Sequence, residues 1–244
     1  MLLANMIDCS AELKTRLADY DTDSLGNQLS QHGVVHLSGF LPRLLKQELT
    51  EEADELLSSH GRRVDVRIQS TGNTPRKYVS VSRNNVFEHA PLISQLYSDS
   101  GLIQFLAKLA RSAVITCPYE PEQIVVNKMN EDGDTHGWHW DDYSYSLVLV
   151  LEAPERQNGA QVEYVDGTSW DKASAQVQHY LDTKTIQSLE LASGSAYVLL
   201  GKRVMHRVSP LKGTDTRKII CFSYATEEER YTAVEHGSME DIYG

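Results

Sequence analysis

Short apolar runs separated by polar turns fill the second half of the chain. We predict strands over 124–130, 146–151, 161–165, 196–200, 204–208 and 217–224. Gly, Asn, Asp and Lys punctuate these runs at 131–134, 156–159, 201–203 and 212–215. Short strands with turns at this spacing are typical of a β-barrel or jelly roll, so the second half is predicted to be mainly β.

The first half carries a helical period instead. Leu13 and Leu17 predict a helix over 11–20 that Ser10 would cap, and a strand is predicted over 33–37. The next helix should run from Pro42 to about Ser59, with one apolar stripe made of Leu41, Leu45, Leu49, Ala53, Leu56 and Leu57. A further helical stretch over 92–110 is interrupted around 98–101. These helices are expected to flank the β core.

Residues 61–86 show neither period clearly and are rich in Arg, Ser, Thr and Asn. They predict a long loop or an irregular hairpin, and such segments often act as lids over a site. We therefore divide a single domain over 1–244 into a helical part (1–115) with this lid, a jelly-roll core (116–226) and a C-terminal tail (227–244).

Composition narrows the classes of partner. The chain has 244 residues and a formal net charge of −11, which disfavours a nucleic-acid partner and modestly favours a cationic one. Its three cysteines, Cys9, Cys117 and Cys221, lack zinc-ligand spacing and do not suggest a disulfide framework. Because no segment resembles a signal peptide or a membrane span, we expect a cytoplasmic protein with no membrane partner, possibly a homodimer.

Three polar residues in the predicted strands have the chemistry of a metal site. Side chains of His139 and Asp141 project the same way from an extended segment, so both could reach one ion, and His206 lies on a later strand. Two imidazoles and one carboxylate leave other positions open around a non-haem Fe(II). Arg217, at the start of the last strand, offers a guanidinium fork that matches a carboxylate.

The spacing of these residues, with the segments 158–164, 193–198 and 206–210, resembles the Fe(II)/2-oxoglutarate dioxygenase superfamily. The resemblance implies a double-stranded β-helix, the cupin-like jelly roll. It also implies that His139, Asp141 and His206 bind iron, that Arg217 binds the distal carboxylate of 2-oxoglutarate, and that dioxygen is the co-substrate. Asn130 is interpreted either as a contact to 2-oxoglutarate or as a turn residue.

Charged residues around the predicted metal site suggest the substrate. Acids beside one arginine, Arg76, predict a zwitterion with a second positive charge. The separations of Arg76, Glu122, His136 and Asp142 resemble those in the radical halogenases of free lysine, the BesD group, and their hydroxylating relatives. The resemblance implies that Arg76 and His136 hold the substrate's α-carboxylate end and that Glu122 and Asp142 hold its amines.

The same resemblance assigns substrate contacts to Cys221 and Ser223 on the last strand, although Cys221 replaces an expected amide. Met239 and Tyr243 are the nearest candidates for an aromatic lid residue. Each of the substrate residues also has a plainer interpretation: Glu122 as a solvated acid, Arg76 as a partner of surface acids, Asp142 as a turn cap or a brace for Asp141.

One departure decides the predicted chemistry. The halogenases have a glycine where this chain has Asp141, and that gap admits chloride to the iron, whereas here a carboxylate fills the position. We therefore predict hydroxylation of a free cationic amino acid, L-lysine by the resemblance and C4 by preference. The alternatives are ornithine, arginine or a peptidyl side chain, or a non-catalytic binding or sensor protein.

The remaining histidines and two tryptophans are assigned to packing. Trp138 and Trp140 are interpreted as packing residues rather than a substrate cage. No partner pattern surrounds the other histidines, which are treated as structural: His32, His36, His60, His89, His179 and His236.

Overall fold

The protein is described by a computed structural model over residues 11–243. The predicted cap Ser10 and Cys9 lie outside the described residues. Residues 11–18 form a helix, within the predicted range 11–20. The helices that follow are α1 (Thr22–His32), α2 (Arg43–His60), α3 (Arg83–His89), α4 (Pro91–Tyr97), α5 (Ser100–Ala110), α6 (Val177–Thr183) and α7 (Gly237–Tyr243).

Twelve strands are described between these helices. They are β1 (Val34–Leu37), β2 (Arg62–Ile68), β3 (Thr74–Val81), β4 (Ile115–Thr116), β5 (Ile124–Met129), β6 (Thr135–His139), β7 (Tyr145–Glu152), β8 (Val162–Val165), β9 (Gln187–Leu189), β10 (Ala196–Leu200), β11 (Met205–Val208) and β12 (Arg217–Ala225). Short 3-10 segments lie at Gln69–Thr71, Glu120–Glu122, Arg156–Asn158 and Glu228–Tyr231.

The strands form one antiparallel sheet that nearly closes into a barrel. Its order is β1-β10-β7-β12-β5-β3-β6-β11-β8-β9, with β2 added to β3 and β4 added to β12. Neighbours in this order come from distant parts of the chain, as β6 and β11 do, so the fold brings remote residues side by side. The predicted jelly roll with flanking helices is confirmed.

Strand β7 shows how the sheet separates two faces. Leu147, Leu149 and Leu151 pack into a core shared with the helices, whereas Val148 and Val150 belong to a second core inside the barrel. Because alternate residues of a strand point to opposite faces, a strand covered on both sides is apolar throughout. The inner face is where the polar residues of the site are found.

The helices stiffen the outer face. The predicted stripe of α2 is buried at Leu45, Leu49, Ala53 and Leu56, and α5 buries Leu102, Phe105, Leu106 and Leu109. Each fully buried leucine side chain contributes roughly 1.5–3 kcal/mol of transfer free energy. The break predicted around 98–101 separates α4 from α5. The sheet therefore rests on a packed helical layer on one side only.

For residues 61–86 the sequence predicted a long loop or an irregular hairpin, and the structure has a hairpin. They form the regular hairpin β2–β3 followed by α3, and β3 lies between β5 and β6 within the sheet. The alternation of β2 and β3 is hidden in the sequence because inward positions include polar residues such as Arg76 and Ser80. The segment is part of the barrel wall. The first 115 residues therefore contribute β1, β2 and β3 to the sheet as well as helices.

Helices α1, α3, α6 and α7 were not predicted. Within residues 11–243, no helix combines the length and the apolar character that a membrane span requires.

Candidate functional site

A cavity opens on the inner face of the barrel. Its walls come from strands β3, β5, β6, β7, β10, β11 and β12, and α7 covers part of it. Strands held on both sides by hydrogen bonds give such a wall little freedom to move. The polar residues singled out in the sequence lie in this cavity, with one exception.

The three predicted metal ligands come together at one wall. His139 at the end of β6 and His206 on β11 are paired across the two strands, and Asp141 follows two residues after His139. The Nε2 atoms of His139 and His206 lie 3.7 and 3.5 Å from Oδ1 of Asp141. All three ligand atoms are therefore close enough to share one ion.

Hydrogen bonds at the far side of each imidazole prepare it to bind a metal. Nδ1 of His139 lies 2.8 Å from the carbonyl oxygen of Gly137, and Nδ1 of His206 lies 3.0 Å from that of Val204. A carbonyl only accepts, so Nδ1 carries the proton and the Nε2 lone pair is free. Burial, with help from His136 and His206, holds the pKa of His139 well below its ordinary value. The donor set of two neutral imidazoles and one carboxylate fits Fe(II).

Arg217 supplies an anion site beside these ligands. It is buried, lines the cavity, and donates from Nη2 to the hydroxyl oxygen of Tyr197 at 3.4 Å. Burial raises the pKa of Tyr197 to about 12, so that hydroxyl stays protonated. Among residues 11–243, no carboxylate comes within 4.0 Å of the Arg217 guanidinium. A buried cation without a counter-ion of its own is suited to the carboxylate of a ligand.

Arg76 is a second buried guanidinium in the same cavity. Only 2% of the residue is exposed, and its Nη1 donates to Thr74 Oγ1 at 3.0 Å and to the Pro75 carbonyl at 3.1 Å. Within the described part of the chain it too lacks a carboxylate within 4.0 Å. Desolvation lowers its pKa to about 10, which still leaves it charged at neutral pH. The interpretation of Arg76 as a partner of surface acids is therefore wrong.

His136 stands between this arginine and the metal ligands. Its ring is stacked on that of His139, with centroids 3.9 Å apart and planes inclined by 3°. Burial and the nearby Arg76 hold its pKa well below the ordinary value, so the imidazole is neutral. A neutral ring beside a guanidinium can donate one hydrogen bond to a bound carboxylate without adding charge.

Acidic groups gather at another part of the cavity. Glu122 and Asp142 both line it, and Oε1 of Glu122 lies 2.9 Å from Nδ1 of His236. Lys172 donates to Oδ1 of Asp142 and to the carbonyl oxygen of Glu235. Burial, and then repulsion from Asp142, raises the pKa of Glu122 to about 9. We name Glu122, Asp142, His236 and Lys172 the acid cluster.

The acid cluster corrects one assignment. His236 was treated as structural, but it contacts Glu122 and stacks on Tyr119 with ring centroids 3.5 Å apart. His236 lies 114 residues after Glu122, in a tail with no periodic pattern. The sequence offers no signal that joins them.

The last strand and the tail complete the lining. Cys221 and Ser223 of β12 both line the cavity, as do Ser238, Met239, Ile242 and Tyr243 from α7. Burial raises the pKa of the Cys221 thiol well above its usual range, so the thiol is neutral. Trp138 packs beside Val165 and Met205, whereas Trp140 both packs there and lines the cavity.

Asn130 is the exception among the predicted residues. It follows the end of β5 and does not line the cavity, whereas Asn127 within β5 does. Val125, Asn127 and Met129 share one face of the strand, because side chains alternate along it. Of the two interpretations of Asn130, this position favours the turn residue, and Asn127, whose Oδ1 accepts from Ser80 Oγ at 2.6 Å, is the amide that faces the cavity.

Comparisons with known proteins agree with this geometry. A family model described as halogenase D matches residues 17–244. No curated protein matches at a significant level. Similar solved structures include the non-haem α-ketoglutarate-dependent epimerase SnoN from nogalamycin biosynthesis, with a TM-score of 0.69, 14% identity, and coverage of 84% of this chain and 80% of that one.

Two further structures have the same fold. AviO1 from Streptomyces viridochromogenes has a TM-score of 0.65 and 18% identity, over 85% of this chain and 96% of that one. A prolyl hydroxylase from Trichoplax adhaerens, solved with a peptide fragment of hypoxia inducible factor, has a TM-score of 0.64 and 14% identity, over 90% and 94% of the two chains.

The family match extends over nearly the whole chain, and the structural neighbours share the barrel that carries the two histidines, the aspartate and the arginine. The chain belongs to the halogenase D family, it has the fold of the solved α-ketoglutarate-dependent and 2OG-Fe(II) oxygenase structures, and its two imidazoles and one carboxylate could hold a metal ion.

Proposed function

We propose that the protein hydroxylates a free cationic amino acid, with L-lysine as the first candidate. The observation that carries this proposal is the charge distribution in the cavity. Two buried guanidiniums, Arg217 and Arg76, have no carboxylate partner within 4.0 Å among residues 11–243, and two carboxylates lie in the acid cluster. Such a cavity suits the distal carboxylate of a keto acid, the α-carboxylate of an amino acid and an ammonium of a basic amino acid.

Arg217 is assigned to 2-oxoglutarate. Its guanidinium and the Tyr197 hydroxyl, 3.4 Å apart, can both donate to the distal carboxylate of that cofactor. Bound iron and 2-oxoglutarate supply the oxidation of a C–H bond by dioxygen, which gives an alcohol, succinate and carbon dioxide. His139, Asp141 and His206 would hold the iron. The protein's own contribution is to fix the distance between substrate and metal, where an error of about 1 Å can cost ~100-fold in rate.

Arg76 and His136 are assigned to the substrate's α-carboxylate. The guanidinium is already held by Thr74, Pro75 and Gly137, so little side-chain entropy remains to be lost when a ligand binds. His136 adds a neutral donor beside it. This pair fixes one end of the substrate.

Glu122 and Asp142 are assigned to an ammonium of the substrate. Lys172 donates to Asp142, and burial with repulsion from Asp142 raises the pKa of Glu122 to about 9. An ammonium placed beside Glu122 would favour its ionised form, so binding of a cation and loss of the Glu122 proton would be coupled. The distance between the two ends would then select the chain length, with C4 of lysine as the proposed carbon.

The family's description makes halogenation the second candidate. Halogenation at such a centre requires a coordination position for a halide, and here Oδ1 of Asp141 lies beside both histidine Nε2 atoms. A carboxylate in that position favours transfer of a hydroxyl group. We therefore rank hydroxylation first.

The deciding experiment is product analysis. The protein is loaded anaerobically with Fe(II), 2-oxoglutarate and chloride, then exposed to air with lysine, ornithine, arginine or a lysine-containing peptide. Lysine that gains one oxygen, together with an equal amount of succinate, supports the proposal. Lysine in which chlorine replaces hydrogen would overturn hydroxylation, and turnover of another amino acid alone would overturn the substrate but not the reaction.

A non-catalytic sensor or a peptide hydroxylase is disfavoured by the same cavity. Helix α7 covers it with Met239, Ile242 and Tyr243, an arrangement suited to a small substrate. The free Nε2 lone pairs of His139 and His206, and the Arg217 guanidinium with no carboxylate within 4.0 Å among residues 11–243, favour a protein that binds a metal and a keto acid. The visible charge-transfer band of Fe(II) with 2-oxoglutarate should appear anaerobically, and its absence would favour a sensor.

A further inference from the structure

The two oxygens of the Asp141 carboxylate have different surroundings. Oδ1 faces Nε2 of His139 at 3.7 Å and Nε2 of His206 at 3.5 Å. Oδ2 accepts a hydrogen bond of 2.6 Å from Oγ of Ser146. Ser146 is 2% exposed and lies on β7, a strand that is paired with both β10 and β12. One oxygen is therefore directed at the metal position and the other is held by a rigid strand.

Gly201 lies against the same carboxylate. A Cβ atom at this glycine would lie 2.5 Å from Cβ of Asp141, 2.6 Å from its Oδ2 and 2.9 Å from its Cγ. Distances under 3.0 Å are essentially never seen for real Cβ atoms, so any other residue would force one of the two to move. The φ angle of Gly201 lies outside the left-handed range, so space rather than backbone conformation requires the glycine.

Neither residue has room to retreat. The amide of Asp141 donates to the carbonyl of Gly201 at 3.0 Å, and the amide of Gly201 donates to the carbonyl of Ser144 at 3.0 Å. These bonds fix the two backbones against each other just beyond the end of β10. A methyl group added at Gly201 would therefore displace the Asp141 carboxylate rather than the backbone.

We infer that Gly201 and Ser146 are positioning residues that hold Asp141 so that one of its oxygens reaches the metal. Gly201 provides the space in which the carboxylate lies, and Ser146 occupies the oxygen that would otherwise compete for the ion. A ligand that uses one oxygen leaves an additional coordination position for the keto acid and dioxygen. The inference depends on the metal site and not on the identity of the substrate.

A double-mutant cycle tests the role of Gly201 without metal or substrate. Gly201→Ala should lower the Tm of the metal-free protein by several degrees, because overpacking a fixed contact is destabilising. In the Asp141→Gly background the clashing atoms are gone, so the same change should lower Tm by less than half as much. Gly237→Ala is the matched control, because a Cβ there meets nothing within 4 Å and Tm should not depend on the background. Equal losses of Tm for Gly201→Ala in both backgrounds would overturn the assignment.

Metal binding provides the second readout. Co(II) serves as a probe whose visible spectrum reports its ligands. Gly201→Ala should weaken Co(II) binding by about 10- to 100-fold, as loss of an outer-shell partner does, and its spectrum should approach that of Asp141→Gly. Ser146→Ala should change the spectrum while keeping Tm within a few degrees.

Ser146→Ala also keeps the inference testable if Gly201→Ala fails to fold. In that case, a folded double variant Gly201→Ala/Asp141→Gly would support the predicted clash between Gly201→Ala and the Asp141 side chain. If neither the single nor the double variant folds, the measurements on Ser146→Ala decide. A Co(II) affinity and spectrum equal to those of the unchanged protein in Ser146→Ala would overturn the inference. Lysine turnover plays no part in these readouts, so failure of the proposed substrate would leave them intact.

Discussion

The metal end of the cavity and the acid cluster are built in different ways. His139 and His206 face each other across paired strands, and Arg217 begins a strand that is bonded on both sides. In the acid cluster, Glu122 is in a 3-10 turn, Lys172 is in a loop, and His236 precedes the short helix α7. Strands hold the two candidate metal-binding histidines, Arg217 and the pair Arg76 and His136, whereas segments outside the strands hold the acid cluster that we assign to the substrate's ammonium. This division predicts that the two ends can be altered separately.

The largest effect should follow loss of a metal ligand. We expect His206→Ala to abolish turnover, because only one imidazole and one carboxylate would remain to bind iron. The measurements are Fe(II) affinity and succinate formation. Binding of lysine at the acid cluster should persist in this variant, so a parallel loss of lysine affinity with the fold intact would contradict the separation of the two ends.

The two arginines allow a matched comparison. Arg217→Lys should raise KM for 2-oxoglutarate by about 10- to 100-fold and leave KM for the amino acid nearly unchanged, because a point charge replaces a fork. Arg76→Lys should do the reverse. Steady-state kinetics with each substrate varied in turn measures both effects. If either variant raised both KM values equally, the assignment of one arginine to each carboxylate would be wrong.

The pH dependence of binding should come from Glu122. Its pKa is raised to about 9, so it is mostly protonated at neutral pH and becomes a better acceptor of a cation as pH rises. The affinity for lysine should therefore increase between about pH 6.5 and 8.5, a range in which the side-chain amine of lysine stays charged. In Glu122→Gln this slope should disappear. Calorimetric titration of the iron-loaded protein at each pH is the measurement, and an unchanged slope in the variant would assign the dependence to another group.

The smallest effect is expected at Lys172. It pairs with Asp142 while 28% of its side chain remains exposed, so its removal should strengthen lysine binding by only about 2- to 5-fold. Lys172→Met frees Asp142 to accept the substrate's ammonium, and Lys172→Arg is the control that keeps the charge. Weaker binding in Lys172→Met would mean that Lys172 supports the acid cluster instead of competing with the substrate.

The parts that the sequence predicted well are those carried by strand patterns. His206 was placed on a predicted strand and His139 in an extended segment, and the fold brought the two together as the resemblance implied. Arg217 followed from the same reasoning. The helical stripes of α2 and α5 were predicted because apolar residues recur at a clear period.

The parts that were missed depend on contacts between distant segments. His236 and Lys172 meet Glu122 and Asp142 only after the tail and a loop fold over the barrel, and no local pattern records this. The hairpin β2–β3 could not be distinguished from a long loop because its inward positions include Arg76, a residue normally found at the surface. Asn127 was not singled out because it lies inside an otherwise apolar strand, whereas Asn130 stands at the end of that strand.

The most direct test is a single turnover, started by adding dioxygen to a complex that was assembled anaerobically. The protein holds Fe(II), 2-oxoglutarate and L-lysine in the presence of chloride, and one pulse of dioxygen is admitted. The account predicts one succinate for each hydroxylysine and no chlorinated product. Chlorolysine, or succinate formed with lysine unchanged, would contradict it.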